Sequence, residues 1–301
     1  MKHFCNKIKH ICKLKQGTKM TFESLANLFS YEFIRNAFFA GIFISLGFSI
    51  LSPILLIKDC TLLGHGLSDV GFATFSIASV LSLSPIFVSI PLMMIVSFLI
   101  ICFSHNKKYN ASSLIAVFST AALAIGITVA SLNKGINSTI YSYMFGSIFS
   151  VSKKDLILSI VVNAVAVLIF ILFYNKFFLI SIDEDFAKSR GFEVIFYKLL
   201  ISLLIASVTV LGIKLVGTLL VSSFMLFPAL ISKKIANSFK SLVLFSFVFS
   251  VLSFTSGMLT SFIFNVPTGA SIVFVNVVLA FILSILKLIR QNGSAKISYI
   301  S

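Results

Sequence analysis

The sequence predicts an all-α protein whose helices cross a lipid bilayer, a polytopic transmembrane bundle of eight or nine spans. Hydrophobic residues fill 58% of the 301 positions and charged residues only 11%, and mean hydropathy is +1.08. A water-soluble domain could not hide that much apolar surface, so lipid is the solvent for most of the chain. The apolar residues also come in runs of about 20, not in the alternating segments of about ten that a barrel needs. Since an unpaired backbone group is costly in hydrocarbon, such runs cross as helices.

Spans are expected near 33–57, 61–81, 85–104, 112–132, 155–177, 198–213, 216–232, 241–263 and 268–289. The sixth and seventh run together around Gly212, Lys214 and Gly217, so one of them is expected to be broken or short, and a count of eight stays open. The apolar stretch 136–151 is short enough to suit an interfacial or re-entrant segment better than a crossing. These limits divide the chain into a basic extension over 1–30, a membrane domain over 31–290 and a tail over 291–301.

Basic residues between the spans set the orientation. One set of connectors holds Lys58, Lys107, Lys108, Lys176, Lys188, Arg190, Lys198, Lys233, Lys234, Lys240, Lys287, Arg290 and Lys296; the alternate set holds only Lys134, Lys153, Lys154 and Lys214. The first set is therefore expected in the cytoplasm, with the carboxyl terminus, in a bacterial inner membrane. Six lysines before Met20 oppose this orientation, and a start at Met20 would remove the conflict. The same extension brings His3, Cys5, His10 and Cys12 close together, which reads either as a metal-capturing tail or as a plain basic extension. A net charge of +15 does not point to nucleic acid, because no aromatic-basic stripe lies on a soluble segment. It fits contact with anionic lipid headgroups instead.

The second span opens LLGHGLSDVGF, where His65 and Asp69 stand four residues apart and so share a helix face. At about 1.5 Å per residue from Lys58, His65 lies roughly 10 Å and Asp69 roughly 16 Å into the bilayer. An acid at that depth costs about 2.5–3.5 kcal/mol on insertion scales and marks a functional site by default. Imidazole and carboxylate together form half of a zinc-type ligand set. Mutual satisfaction inside the bundle and a proton relay are the other readings of the pair. Gly64, Gly66 and Gly71 around it permit close helix approach or a local break.

The connector SIDEDFAKSRGFEV has Asp183, Glu184 and Asp185 ahead of Phe186 and Ala187, then Lys188, Arg190 and Gly191. Acids first, bases last and a terminal glycine predict a short cytoplasmic helix, either a docking surface or a solvated loop helix. Pro228 is a kink and gate candidate, with Ser222 and Ser223 able to satisfy the freed carbonyl. Pro267 and Gly269, after Asn265, read as the turn into the last span. No GxxxxGK[ST] or HExxH motif occurs. That opposes nucleotide hydrolysis by this chain and zinc-protease chemistry, while a proton-coupled secondary carrier stays open.

Five segments in order, LLGHGLSDVGFA, MFGSIFSVSKKDL, SIDEDFAKSRG, VGTLLVSSFMLFPALISKKIA and NVPTGASIVFV, make the chain resemble the permeases of the zinc, manganese and iron(II) uptake ABC transporters. The resemblance spans about Tyr31 to Ile289. It implies a non-enzymatic transport subunit without cofactor, a homodimer, a separate cytoplasmic ATPase and an extracytoplasmic metal-binding protein, with zinc the first choice of cargo. It also implies that His65 and Asp69 bind the metal and that the segment near 181–193 is a coupling helix, with Asp183, Glu184, Asp185, Phe186, Ala187 and Gly191 meeting the ATPase. The family pattern in the second span places the acid before the histidine, and here the two are exchanged. Asn265 stands where the family commonly carries an acid.

Overall fold

The computed structural model describes residues 32–58, 60–103, 111–132, 144, 146, 152–264 and 266–298. Among them are helices and no strand: α1 Glu32–Ile57, α2 Leu63–Val80, α3 Pro85–Phe103, α4 Ala111–Leu132, α5 Lys153–Leu172, α6 Tyr174–Ile182, α7 Glu184–Ser189, α8 Val194–Val216, α9 Thr218–Ser232, α10 Phe239–Phe264 and α11 Thr268–Ser298. Seven of these, α1, α3, α4, α5, α8, α10 and α11, are long and apolar enough to cross a membrane. That count is below the eight or nine expected: helices α2 and α9 form over the other two expected spans, but neither meets that standard. α2 falls short on hydropathy because it carries His65, Ser68, Asp69, Thr74 and Ser76, and α9 falls short on length at 15 residues.

The two kinds of helix occupy different layers. α1 and α8 have 78% and 72% of their apolar stretches buried, against 22% for α5 and α11, so the first pair forms the centre and the second lies on the outside. α2 is enclosed by α3, α4 and α9, and nearly all of its residues are buried. A helix with that polar content belongs inside the bundle, out of contact with hydrocarbon. There Thr74 of α2 donates to Ser89 of α3 at 2.7 Å. Around the perimeter Phe87, Leu172 and Phe281 stay exposed, as lipid-facing side chains should.

Connectors expected on the same side of the membrane meet at the same end of the bundle. Lys58 and Lys198 both bond Glu184, and Tyr174 and Phe178 stack on Phe239. At the opposite end Lys153 bonds Glu32 at 2.6 Å and Lys214 bonds Asp155. The fifth span ends sooner than expected, at Leu172, and the chain turns at Phe173 into the separate helix α6. The last helix runs on to Ser298, beyond the expected limit.

The ambiguity around the sixth and seventh spans resolves into a full-length α8 and a short α9, split at one residue. Gly217 has φ 93° and ψ 161°, a backbone region that is essentially glycine's own, so neither helix can pass through it. Its neighbour Thr218 donates to the Met144 carbonyl at 3.4 Å, which brings part of the 136–151 stretch against the break; the rest of that stretch lies outside the described residues. Pro228 does sit within α9, but Ser222 and Ser223 do not take the compensating role. Ser222 donates to Leu219 and Ser223 accepts from Asn276; one residue past the proline, the Ala229 N–H is received by Ser52 of α1 at 3.2 Å, which ties the two helices together there. Pro267 immediately precedes α11 and its carbonyl accepts from the Ser271 amide at 3.1 Å, with Gly269 in the first turn. Asn265, His3, Cys5, His10, Cys12 and the Met20 start all lie outside the described residues.

Gly217→Ala is expected to destabilise the protein by about 1–3 kcal/mol through backbone strain alone. The check is the thermal midpoint in detergent, and an unchanged midpoint would contradict a strained junction.

Candidate functional site

His65 and Asp69 lie on one face of α2 with Nε2 and Oδ2 3.9 Å apart, near each other but not hydrogen-bonded. Their surroundings differ. Asp69 is 8% exposed and accepts from the Ser119 hydroxyl of α4. The His65 side chain is 63% exposed and opens into a cavity of about 520 Å³ between the start of α2, α9 and α11. Thr61, Ser222 and Ser223 supply the cavity's other polar groups, while Leu219, Leu226, Phe227, Val273 and Phe274 make it mostly apolar.

Glycines place α2 this close to its neighbours. A Cβ at Gly64 would strike Met225 of α9, one at Gly66 would strike Ile115 of α4, and one at Gly71 would strike Ile213 of α8. α2 is continuous through all three, so they serve close approach and not a helix break. The result is a histidine that faces open space and a carboxylate that is held from behind. A borderline metal ion can use both, but the pair offers only two ligands, and among the described residues no group of three His, Cys, Asp or Glu side chains comes together.

Sequence reasoning missed Ser119 and Asn276. Ser119 carries no signal, being one of many small residues on an apolar helix. Asn276 did carry one, because an amide in the middle of SIVFVNVVLAF is costly in lipid unless paired. It is fully buried and donates to Ser223 at the cavity wall at 2.9 Å.

At the end of the bundle that holds Lys58, α7 forms the expected short helix. Asp183 caps it, accepting from the amides of Asp185 and Phe186 at 3.0 and 2.9 Å, and Gly191 with φ 79° ends it. Its residues divide between two faces in a way the sequence did not reveal. Asp185, Phe186, Lys188 and Arg190 point outward, with the Arg190 guanidinium over the Phe186 ring. Glu184 and Ala187 point inward, so they are not available to a docking partner as expected. Glu184 bonds Lys58 through Oε1 and Lys198 through Oε2, each at 2.7 Å, with all three side chains under a tenth exposed.

Burial alone would raise the Glu184 carboxyl, but the hydrogen bonds and charges of Lys198 and Lys58 outweigh it and hold the group below the usual glutamate range. A folded value below the unfolded value of about 4.3 contributes stability that is complete above that pH and lost as pH falls through the folded value. Glu184→Gln removes the counter-charge of two buried lysines and is expected to cost about 3–5 kcal/mol at neutral pH. The gap in thermal midpoint between wild type and variant should hold steady down to about pH 5 and close below about pH 4. A gap that persists undiminished in acid would rule out an ionised Glu184 as its source.

Comparison with known proteins agrees with this architecture. Residues 30–287 match the ABC 3 transport family. A manganese transport system membrane protein, MntC, of Halalkalibacterium halodurans is 28% identical over 82% of this chain and 85% of its own length. A high-affinity zinc uptake system membrane protein, ZnuB, of Buchnera aphidicola is 26% identical over 85% of this chain and 98% of its own. Among solved structures, PsaBC from Streptococcus pneumoniae in complex with Fab superposes with a TM-score of 0.78 and 25% identity, covering 88% of this chain and 95% of that one. With a family match that takes in every long apolar helix and a shared fold along nearly the whole membrane domain, the chain belongs to the ABC 3 transport family, as a multi-pass permease subunit that leaves ATP hydrolysis to a separate chain.

Proposed function

We propose that this permease carries divalent transition-metal ions into the cell, with zinc as its cargo. The observation that carries the reading is the His65–Asp69 pair, a buried carboxylate and an open imidazole 3.9 Å apart on a polar helix held inside the bundle. Relatives named for zinc and for manganese transport support the broader class. For zinc in particular the argument is chemical: imidazole favours zinc over manganese at a shared site, and zinc accepts four ligands in a tetrahedron. The described residues of one chain bring two such ligands together here, so a homodimer that brings two copies of the cavity together would supply two histidines and two carboxylates. The exchange of acid and histidine relative to the family pattern keeps the same ligands on the same helix face.

In this reading an extracytoplasmic binding protein delivers the ion at the Lys153–Glu32 end, and a cytoplasmic ATPase docks on the outward face of α7 through Asp185 and Phe186. The carboxyl terminus then lies in the cytoplasm, in keeping with the excess of Lys and Arg on that side. The ion leaves a delivery protein, pauses at His65 and Asp69, and is released when ATP-driven closure moves the bundle. Ser119 holds Asp69 in place as a hydrogen-bond donor behind the carboxylate.

His65→Ala and Asp69→Ala are expected to abolish ATPase-dependent uptake of radiolabelled zinc while membrane insertion and ATPase association persist. Normal uptake by either variant would remove the pair from the transport path. Uptake of manganese but not zinc by the wild type would keep the site and change the cargo.

A further inference from the structure

Among the described residues, the buried cluster of Lys58, Glu184 and Lys198 sets two lysines on one carboxylate, where one would already anchor α7. Glu184 sits on the first residue of α7, Lys198 near the start of the central helix α8, and Lys58 directly after α1. A Lys198–Glu184 pair alone would be electrically balanced and would already fasten α7 to the bundle. The second lysine adds desolvation cost without being needed for that attachment, and the best-attested return on such a cost is a fixed register or a switch.

Its position says what the register is for. Lys58 lies seven residues before His65, and described residues between them are held by backbone hydrogen bonds. The Lys58 amide bonds the Ile54 carbonyl at 3.2 Å, Cys60 bonds Leu55 at 2.9 Å, and Leu63 bonds Cys60 at 2.9 Å. Cys60 and Leu63 are fully buried, and Gly66 already donates to Leu62 within α2. On the other side of the link α7 is stiff as well, capped by Asp183 and closed where Phe192 bonds the Ala187 carbonyl. A charge-assisted bond of 2.7 Å joins two rigid pieces more firmly than a packing contact, because its strength depends on both distance and direction.

We propose that the Lys58–Glu184 ion pair is the link through which displacement of α7 reaches α2, making Lys58 and Glu184 positioning residues for the His65–Asp69 site. The inference rests on the reading of α7 as the ATPase-docking helix. α8, with Lys198, serves as the fixed reference: it is central, and its far end is tied by Lys214 to Asp155. When a docked ATPase pulls α7, the outward residues take the load, the inward carboxylate passes it to Lys58, and the turn before α2 moves with it.

The test is zinc uptake per ATP hydrolysed, with manganese in parallel, in proteoliposomes containing this chain with its ATPase and binding protein. Lys58→Met leaves the balanced Lys198–Glu184 pair, so the complex should assemble and hydrolyse ATP at its basal rate, while uptake per ATP falls by about tenfold, within the usual range of coupling between sites. Lys198→Met keeps the link and should stay close to the wild-type ratio, and Lys58→Arg should restore most of it. A Lys58→Met protein that couples normally overturns the inference alone. So does equal loss in both methionine variants, or failure of Lys58→Met to assemble, since the cluster would then be holding the fold rather than transmitting motion. Absence of ATP-driven uptake by the wild type overturns the importer reading and this inference with it.

Discussion

Hydrocarbon offers no partner to a polar group, and that constraint orders the whole molecule. Several polar side chains that enter the bundle are matched across helices: Asp69 with Ser119, Asn276 with Ser223, Thr74 with Ser89, Asp155 with Lys214, and Glu184 with two lysines. Each pairing joins different elements, so each also fixes how they sit against one another. The apolar perimeter, by contrast, only needs to be apolar, which is why α5 and α11 tolerate exposure along most of their length.

α2 is more polar than lipid permits. It cannot lie at the edge, so it is surrounded, and its glycines let Met225, Ile115 and Ile213 press against its backbone. Close packing of that kind leaves little freedom in the helix itself. The open side of α2 is the cavity beside His65. The carboxylate is held from behind by Ser119, while the imidazole faces that space.

Much of this was legible in the sequence, for a physical reason: a run of about 20 apolar residues bounded by charge has one sensible fate in a membrane. The nine expected stretches and the short acidic-to-basic helix ending at Gly191 depend on such local rules. So does the shared face of His65 and Asp69, which helix periodicity alone dictates. What was not legible depends on partners distant in sequence. Nothing near Pro228 identifies Ser52, 177 positions away, as the group that takes up the Ala229 amide. Similarly, the run Asp183, Glu184, Asp185 reads as three equivalent surface acids until Lys58, 126 residues away, turns the middle one inward.

That middle acid bears on how so short a helix can transmit force. Six residues make fewer than two turns, too few to be stable on helix propensity, so α7 must borrow its rigidity. It does so from both faces: the Asp183 cap and the Arg190–Phe186 contact stiffen the outer one, while Ala187 and Glu184 seat the inner one. A helix held only by apolar contact could slide or roll under load, since such contact is non-directional. A carboxylate gripped from two sides resists both motions. Directional anchoring of the inner face thus leaves the outer face free to be shaped by whatever docks there, without loosening the connection to the bundle beneath.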